Sequence, residues 1–503
     1  MKDSLSRFKQ IEKELTILHG FMALMSWDRA TLMPKNAIHQ RADQMAYLSL
    51  LAHQRKTSKE ILRCVDILTK PAHLKQLSKI ERLSVLKFKK EITKERKLPA
   101  EHIEKFSKLI PESEAAWEKA KAKSNFSIFR PYLEKCVQLS KQSAAYIDPK
   151  MHPYDVFLDD FEEGMTVVKL KKIFAELKAG LIEIITHIKK SNSFKRQKNV
   201  LKDLDFPIDD QDVISEEVMD MILEDEGRSV IAESVHPFTD SISADDVRIT
   251  TAFREKDPMF SFTSTAHESG HALYELGFSR KLENTILFDA PSTGLHESQS
   301  RFWENHIFKS YDFWRFFYPH YQKVFGKALS RMKLGDFFKQ MNQVRESKIR
   351  IEADEVTYCL HVIIRFELEV ELFEGSLKVK DLPKAWNQKY KEYLGVSPRN
   401  DSEGVLQDTH WSGALFGYFP TYALGTMYSA MIYNQMRKDI KGFDGRVRKG
   451  DFSAIRKWLK KNVHEIGSTM LADDVIKRCC GRGLTATDYL EYLKGKYYGI
   501  YDK

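Results

Sequence analysis

Cysteine is scarce in this chain, and none of it is arranged for chemistry. The 503 residues include five, at positions 64, 136, 359, 479 and 480, without a C-x-x-C pair. That pattern indicates neither a disulfide framework nor a thiolate zinc site, and it fits a reducing compartment best. Long apolar runs are missing as well, since no stretch approaches the roughly 20 residues a membrane span needs. The segment Met1–Ser26 is broken by Lys, Arg or Glu every few residues and has no apolar core followed by a small-residue cleavage site, so no secretory signal is read there. No internal repeat and no low-complexity linker is found. Charge of one sign is not concentrated either: Lys and Arg outnumber Asp and Glu by 80 to 71, for a net charge of +9, but they are scattered. The densest run, Lys189, Lys190, Lys195, Arg196 and Lys198, contains Ser191, Asn192 and Ser193 and reads as a solvated loop, without the series of stacking aromatics that a nucleic-acid surface would carry. These absences together describe a cytoplasmic protein that binds neither nucleic acid nor membrane.

What is present is the composition of a folded enzyme, with 42% apolar and 30% charged residues, 15 prolines and 23 glycines. Most segments read as amphipathic helix. Leu77, Ile80, Leu83 and Leu86 recur at near-helical spacing in a Lys/Glu-rich background, and similar patterns run from Val168 to Ile188 and from Phe366 to Phe373. The expected fold is therefore mostly α. The clearest strand signal is Val247, Ile249 and Thr251 alternating with Arg248 and Thr250, which predicts a short sheet just before a strong helix. Residues 1–503 read as one continuous domain, with Ser191–Asp210 as the only segment that resembles an internal boundary.

That helix carries the chemistry. Within Ser264–Glu275 stands H-E-x-x-H: His267, Glu268 and His271. A spacing of four puts both imidazoles on one face, about one turn apart, where two nitrogens can grip one ion. Glu268 lies on the neighbouring part of that face, where its carboxylate can take a proton from a water that the ion has made acidic. A catalytic site of this kind needs a third protein ligand and an open position. His296-Glu297-Ser298 supplies a candidate, Glu297, after 25 intervening residues, enough for a turn and a second returning helix. Glu304, seven residues beyond Glu297, repeats the same helix face. It is placed either to hydrogen-bond a ligand histidine or to form a surface ion pair.

Around these residues the chain resembles the thermostable (Taq-type) metallocarboxypeptidases over nearly its whole length. The resemblance is carried by His236-Pro237-Phe238, Asp246-Val247-Arg248-Ile249-Thr250, the H-E-x-x-H helix, His296-Glu297-Ser298-Gln299-Ser300, Ile349-Arg350-Ile351-Glu352-Ala353-Asp354, and Gly404 to Trp411, all in the family's order. Trp27-Asp28 with Met33-Pro34 is similar to the family's opening segment. The resemblance implies an elongated helical body with two halves flanking a deep groove and a short sheet beside the metal, similar to angiotensin-converting enzyme and neurolysin. It further implies release of single residues from the free C-terminus of peptides, zinc or cobalt as the ion, and a homodimer. Two departures stand out: Ala252 occupies a position where the family usually has arginine, with Arg254 two residues on, and Arg29-Ala30 replaces a Gln-Glu pair.

The remaining motifs suit amide hydrolysis, which needs a stabilised oxyanion and a protonated leaving amine. His410, with Tyr418 or Tyr422, resembles the His-and-Tyr pair of related helical zinc peptidases, although an aromatic core segment would read the same way. A free terminal carboxylate calls for a planar guanidinium. Arg350 is the first candidate, with Arg248 and Arg399 in reserve; an ion pair with Glu352 or Asp354 is the other role open to Arg350. His236 is assigned to substrate or to a neighbouring carboxylate near the sheet. A groove closed beside Arg350 would release one residue, and a longer one would make the protein an oligoendopeptidase or a dipeptidyl carboxypeptidase. A non-catalytic helical scaffold would have no use for Glu268 between the ligands.

Overall fold

Local signals start many of the helices. Ser78 caps Lys79–Arg96 in a reciprocal box with Glu81, Ser58 caps Lys59–Leu68, and Thr166 caps Val167–Lys190. The computed structural model of the chain describes residues 1–224 and 227–502. Its helices surround two hydrophobic cores. The smaller gathers Phe8, Ile11, Ile61, Val65, Val85, Phe88 and Ile92 from the N-terminal helices. The larger runs from Leu109 to Tyr501 and includes Trp303, Trp314 and Trp386. Among the described residues no helix is long and apolar enough to cross a membrane.

Two readings of the sequence need correction. Lys79–Arg96 is a helix as expected, but its buried face is Ser84, Val85, Phe88 and Ile92, while Leu86 is 42% exposed. Steps of three residues turn back by about 60° each on a 3.6-residue helix, so Ile80, Leu83 and Leu86 spiral away from a common face. The basic run predicted as a solvated loop begins in the last turn of Val167–Lys190 and continues as a short helix, Asn192–Arg196, which Ser191 caps through the Phe194 N–H.

The sheet has three strands, β1 (Ser229–Glu233), β2 (Thr239–Ser243) and β3 (Asp246–Thr251), in the order β1-β3-β2. β1 runs parallel to β3, and β2 runs antiparallel to it with Thr239 opposite Ile249. Val247, Ile249 and Thr250 of β3 are fully buried, and both β2 and β3 pack on the helix Pro258–Leu276 that carries the H-E-x-x-H motif.

That motif helix lies against a second helix, Thr293–Arg301, which in turn packs closely on Pro420–Asp439. Two glycines permit these approaches. A Cβ on Gly270 would stand 2.7 Å from the Gln299 carbonyl oxygen, and one on Gly425 would stand 2.6 Å from Cγ of Glu297. After Arg301 the backbone becomes a π-helix, Phe302–Phe308, buried throughout, a form often found at functional sites.

Candidate metal centre and its cavity

His267 and His271 turn their Nε2 atoms toward Glu297, whose Oε2 lies 3.4 Å from the first and 3.5 Å from the second. All three ligand atoms fall within 4.8 Å of one another. Bonds of about 2.0–2.1 Å to a tetrahedral ion place ligand atoms roughly 3.3 Å apart, so the two nitrogens and the carboxylate fit one divalent ion with a position left open. The site borders a cavity of about 970 Å³ that Glu268, Tyr418 and Tyr422 also line.

The candidate ligands are themselves held. Glu304 Oε2 lies 2.9 Å from His267 Nδ1, and Arg301 and Lys309 both pair with Glu304. Of the two roles open to Glu304, the structure thus has it behind His267, in the π-helical turn. Arg301 Nε also donates to Glu297 Oε1 at 2.7 Å. Burial pushes both carboxyls up, but Arg301 with His267 at Glu297, and Lys309 with Arg301 at Glu304, outweigh it and hold both well below the usual range. Burial lowers His267, yet Glu297 and Glu304 raise it to about 10, whereas burial lowers His271 to about 3. Ion binding at this set is therefore a competition with a proton on His267.

Glu268 is 7% exposed. Its Oε2 accepts a hydrogen bond from Thr239 Oγ1 at 2.7 Å, and the same hydroxyl reaches the Glu268 carbonyl at 3.1 Å. Burial pushes this carboxyl up, against the pull of His267 and Thr239. Thr239, the first residue of β2, was missed in the sequence; its only signal there is its place directly after His236-Pro237-Phe238. Across the cavity, Tyr418, Thr421 and Tyr422 form the wall. His410 Nε2 lies 3.3 Å from the Tyr422 hydroxyl, and burial lowers His410 to about 4 although Asp408 opposes it, so its ring is neutral near pH 7.

A family model described as Carboxypeptidase Taq (M32) metallopeptidase matches residues 7–497. The chain belongs to this family. It is 38% identical over 494 residues to Carboxypeptidase 1 of Bacillus subtilis, covering 98% of each chain. It is 35% identical over 501 residues to Thermostable carboxypeptidase 1 of Thermus thermophilus, again covering 98% of each. Among solved structures it is similar to an M32 carboxypeptidase from Deinococcus radiodurans R1, with a TM-score of 0.96, 34% identity and full coverage of both chains.

In this M32 metallocarboxypeptidase the candidate substrate residues are spread more widely than the metal set. Arg350 is 6% exposed and lies behind Tyr422, whose ring centre is 4.8 Å from the guanidinium. Its partner is Asp408, reached from Nε at 3.0 Å and from a terminal nitrogen at 2.8 Å, while the other terminal nitrogen donates to the Tyr358 hydroxyl. The ion pair weighed with Glu352 or Asp354 is absent: Asp354 instead accepts from the N–H groups of Arg345, Val356 and Thr357. Arg365 donates to the second Asp408 oxygen at 2.7 Å. Arg248 forms a two-pronged pair with Asp246 and stacks on Trp27, so it ties β3 to the first helix. His236 is exposed, although Pro237, Phe238 and Thr239 line the cavity. Arg399 pairs with Glu403 at the surface, and Arg254, beside Ala252, stacks on Phe260. The far wall comes from the small core: Lys87, Lys90 and Lys94 line it, with Lys90 bridging to Asp159 and Glu163, and Lys94 to Asp160.

Proposed function

We propose that this M32 chain is a carboxypeptidase that removes single amino acids from the free C-terminus of peptides, with Glu268 as general base. The observation that carries this is the common cavity: Glu268 faces it beside His267, His271 and Glu297, fixed by the Thr239 hydroxyl. Two imidazoles and one carboxylate are a donor set suited to zinc, with cobalt as a substitute. When bound there, the ion supplies Lewis acidity to the scissile carbonyl and to a water. Glu268 accepts a proton from the attacking water and returns it to the departing amine as the C–N bond breaks. Tyr418 or Tyr422, with His410 against the Tyr422 hydroxyl, donates to the oxyanion.

Arg350 takes the terminal carboxylate, which must pass the Tyr422 ring to reach it, since Arg350 does not line the cavity. Its bonds to Asp408 and Tyr358 leave one N–H on each terminal nitrogen, a pair that suits a planar carboxylate, and Asp408 with Arg365 holds the fork in place. His236, exposed just before the cavity-lining Pro237, and Arg248 on β3 are assigned to substrate further from the ion. Lining from both cores supports a groove between two helical halves, with residues 1–503 acting as one catalytic domain of the kind seen in angiotensin-converting enzyme and neurolysin. Five cysteines free of disulfides suit a cytoplasmic enzyme, and exposed Ile17 and Phe21, one turn apart on the first helix, suit a homodimer.

The test is mass spectrometry of N-acetylated peptides incubated with the zinc-loaded protein, beside a chelated sample, a C-amidated substrate and Glu268→Gln. Stepwise loss of single C-terminal residues is expected, abolished by chelation, amidation and the substitution, while Glu268→Gln keeps its ion. Internal or two-residue cuts would make the protein an oligoendopeptidase or a dipeptidyl carboxypeptidase instead.

A further inference from the structure

We propose, resting on the metallopeptidase reading above, that His296 and Glu275 are positioning residues for the ion: a Glu275–His296–His271 relay fixes which nitrogen of His271 faces it. His271 Nδ1 lies 2.6 Å from His296 Nδ1, and His296 Nε2 lies 2.8 Å from Glu275 Oε1. The His271 nitrogen turned toward Glu297 is Nε2, so that atom keeps its lone pair and Nδ1 carries the ring proton. That proton needs an acceptor, and His296 Nδ1 is the one in reach. A proton on both facing nitrogens would oppose two donors at this distance. His296 therefore presents a lone pair to His271 and carries its own proton on Nε2, directed at Glu275.

The backbone makes this possible at two places. Glu275 follows His271 by four residues, so the motif helix holds both on one face. His296 and Glu297 are neighbours on Thr293–Arg301, and consecutive helical residues point about 100° apart. One dipeptide thus reaches the site from two sides, Glu297 toward the ion and His296 toward the back of His271. The two rings lie 4.5 Å apart at a tilt of 33°.

The two ligand histidines are consequently held in different ways. His267 has a carboxylate, Glu304, directly behind it, an ordinary arrangement for metal-bound histidine. His271 has an imidazole, which accepts a hydrogen bond only in one tautomer, and Glu275 is the group that selects that tautomer. Glu275 is therefore not a spare surface carboxylate of the motif helix.

Asparagine and glutamine separate the two halves of the relay. An Asn carbonyl stands where His Nδ1 stands, and a Gln side chain reaches where Nε2 stands. His296→Asn keeps an acceptor for His271 and loses Glu275, whereas His296→Gln keeps the Glu275 contact and leaves the His271 proton unpaired. Zinc dissociation constants are read by competition with a chromophoric chelator, beside the visible spectrum of the cobalt-loaded protein, with circular dichroism of the metal-free variants as a check of folding. His296→Gln is expected to weaken zinc binding about 10–100-fold and to alter the cobalt spectrum, and His296→Asn to stay within about threefold of the unsubstituted chain with its spectrum kept. Glu275→Leu moves affinity in the same direction as His296→Gln. Zinc affinity unchanged in His296→Gln, or lost equally in Asn and Gln, overturns the relay and leaves the metallopeptidase reading standing. An unsubstituted chain that takes up no stoichiometric ion overturns that reading, and the relay with it.

Discussion

A general base works only from a fixed position, and Glu268, proposed for that role, is held by one neutral hydroxyl. Thr239 spans 29 residues to donate at 2.7 Å. A hydrogen bond to a charged group contributes about 1.5–3 kcal/mol, so Thr239→Val is expected to lower kcat by about tenfold or more. The bound ion should remain, because Thr239 touches none of His267, His271 and Glu297. Thr239→Ser should recover most of the rate. Parallel kcat and metal-content measurements check this, and a loss of metal in Thr239→Val would assign the threonine to the fold instead. Arg350 illustrates the same scale from the other side. Its residue type was a sound reason to consider carboxylate recognition, but the partner that aims it, Asp408, lies 58 residues away.

At the scale of elements, the position of Glu297, the proposed third ligand, depends on how closely Pro420–Asp439 approaches Thr293–Arg301. Gly425 sits where an added methyl would stand 2.6 Å from Glu297 Cγ and 2.9 Å from the Gly294 carbonyl. Both obstacles are buried and neither is the free end of a flexible chain. Gly425→Ala should therefore separate the helices and displace Glu297, at a cost of about 1–3 kcal/mol in stability. A larger loss is expected in zinc affinity than in secondary structure, read by chelator competition and circular dichroism. Unchanged affinity would mean that the helix pair has slack the packing does not suggest. The π-helical turn Phe302–Phe308 is a second device at this scale, since Glu304 in it serves His267 while its neighbours fill the core.

Across the whole molecule, the two cores meet at a buried acid. Glu12, on the first helix, accepts hydrogen bonds from Ser84 and from the Ile286 N–H, a residue of the loop before Thr293–Arg301. Burial pushes its carboxyl up from 4.5 to about 7, against those two hydrogen bonds. Because the folded value is the higher one, the contribution of protonated Glu12 is complete below about pH 4.5 and is lost as pH rises through about 7. The full shift corresponds to about 3 kcal/mol. Glu12→Gln keeps an acceptor for Ile286 without a charge to bury, so it should raise the Tm at pH 8 and leave it nearly unchanged at pH 4.5. An offset equal at both pH values would remove Glu12 as the source. Glu162 and Glu369, likewise pushed up to about 7 by burial, act in the same direction and deepen the alkaline loss.

The sequence by itself determined what short-range geometry can carry. Helical content follows from apolar spacing and from caps such as Ser78. The nearness of His267 to His271, with Glu268 between them, follows from the helix period alone. Membership of the family was legible because its motifs are contiguous words that need no folding to be recognised. Tertiary structure decided what depends on chain segments far apart. It brought Glu297 within 3.5 Å of both histidines, put Thr239 on Glu268 and Asp408 on Arg350, and chose Val85 and Phe88 over Leu86 for the core. The physical reason is the range of the constraint. Backbone periodicity acts over one or two turns, while a partner tens of residues away is selected only when packing closes the intervening loop, and no local pattern records which polar group will be waiting there.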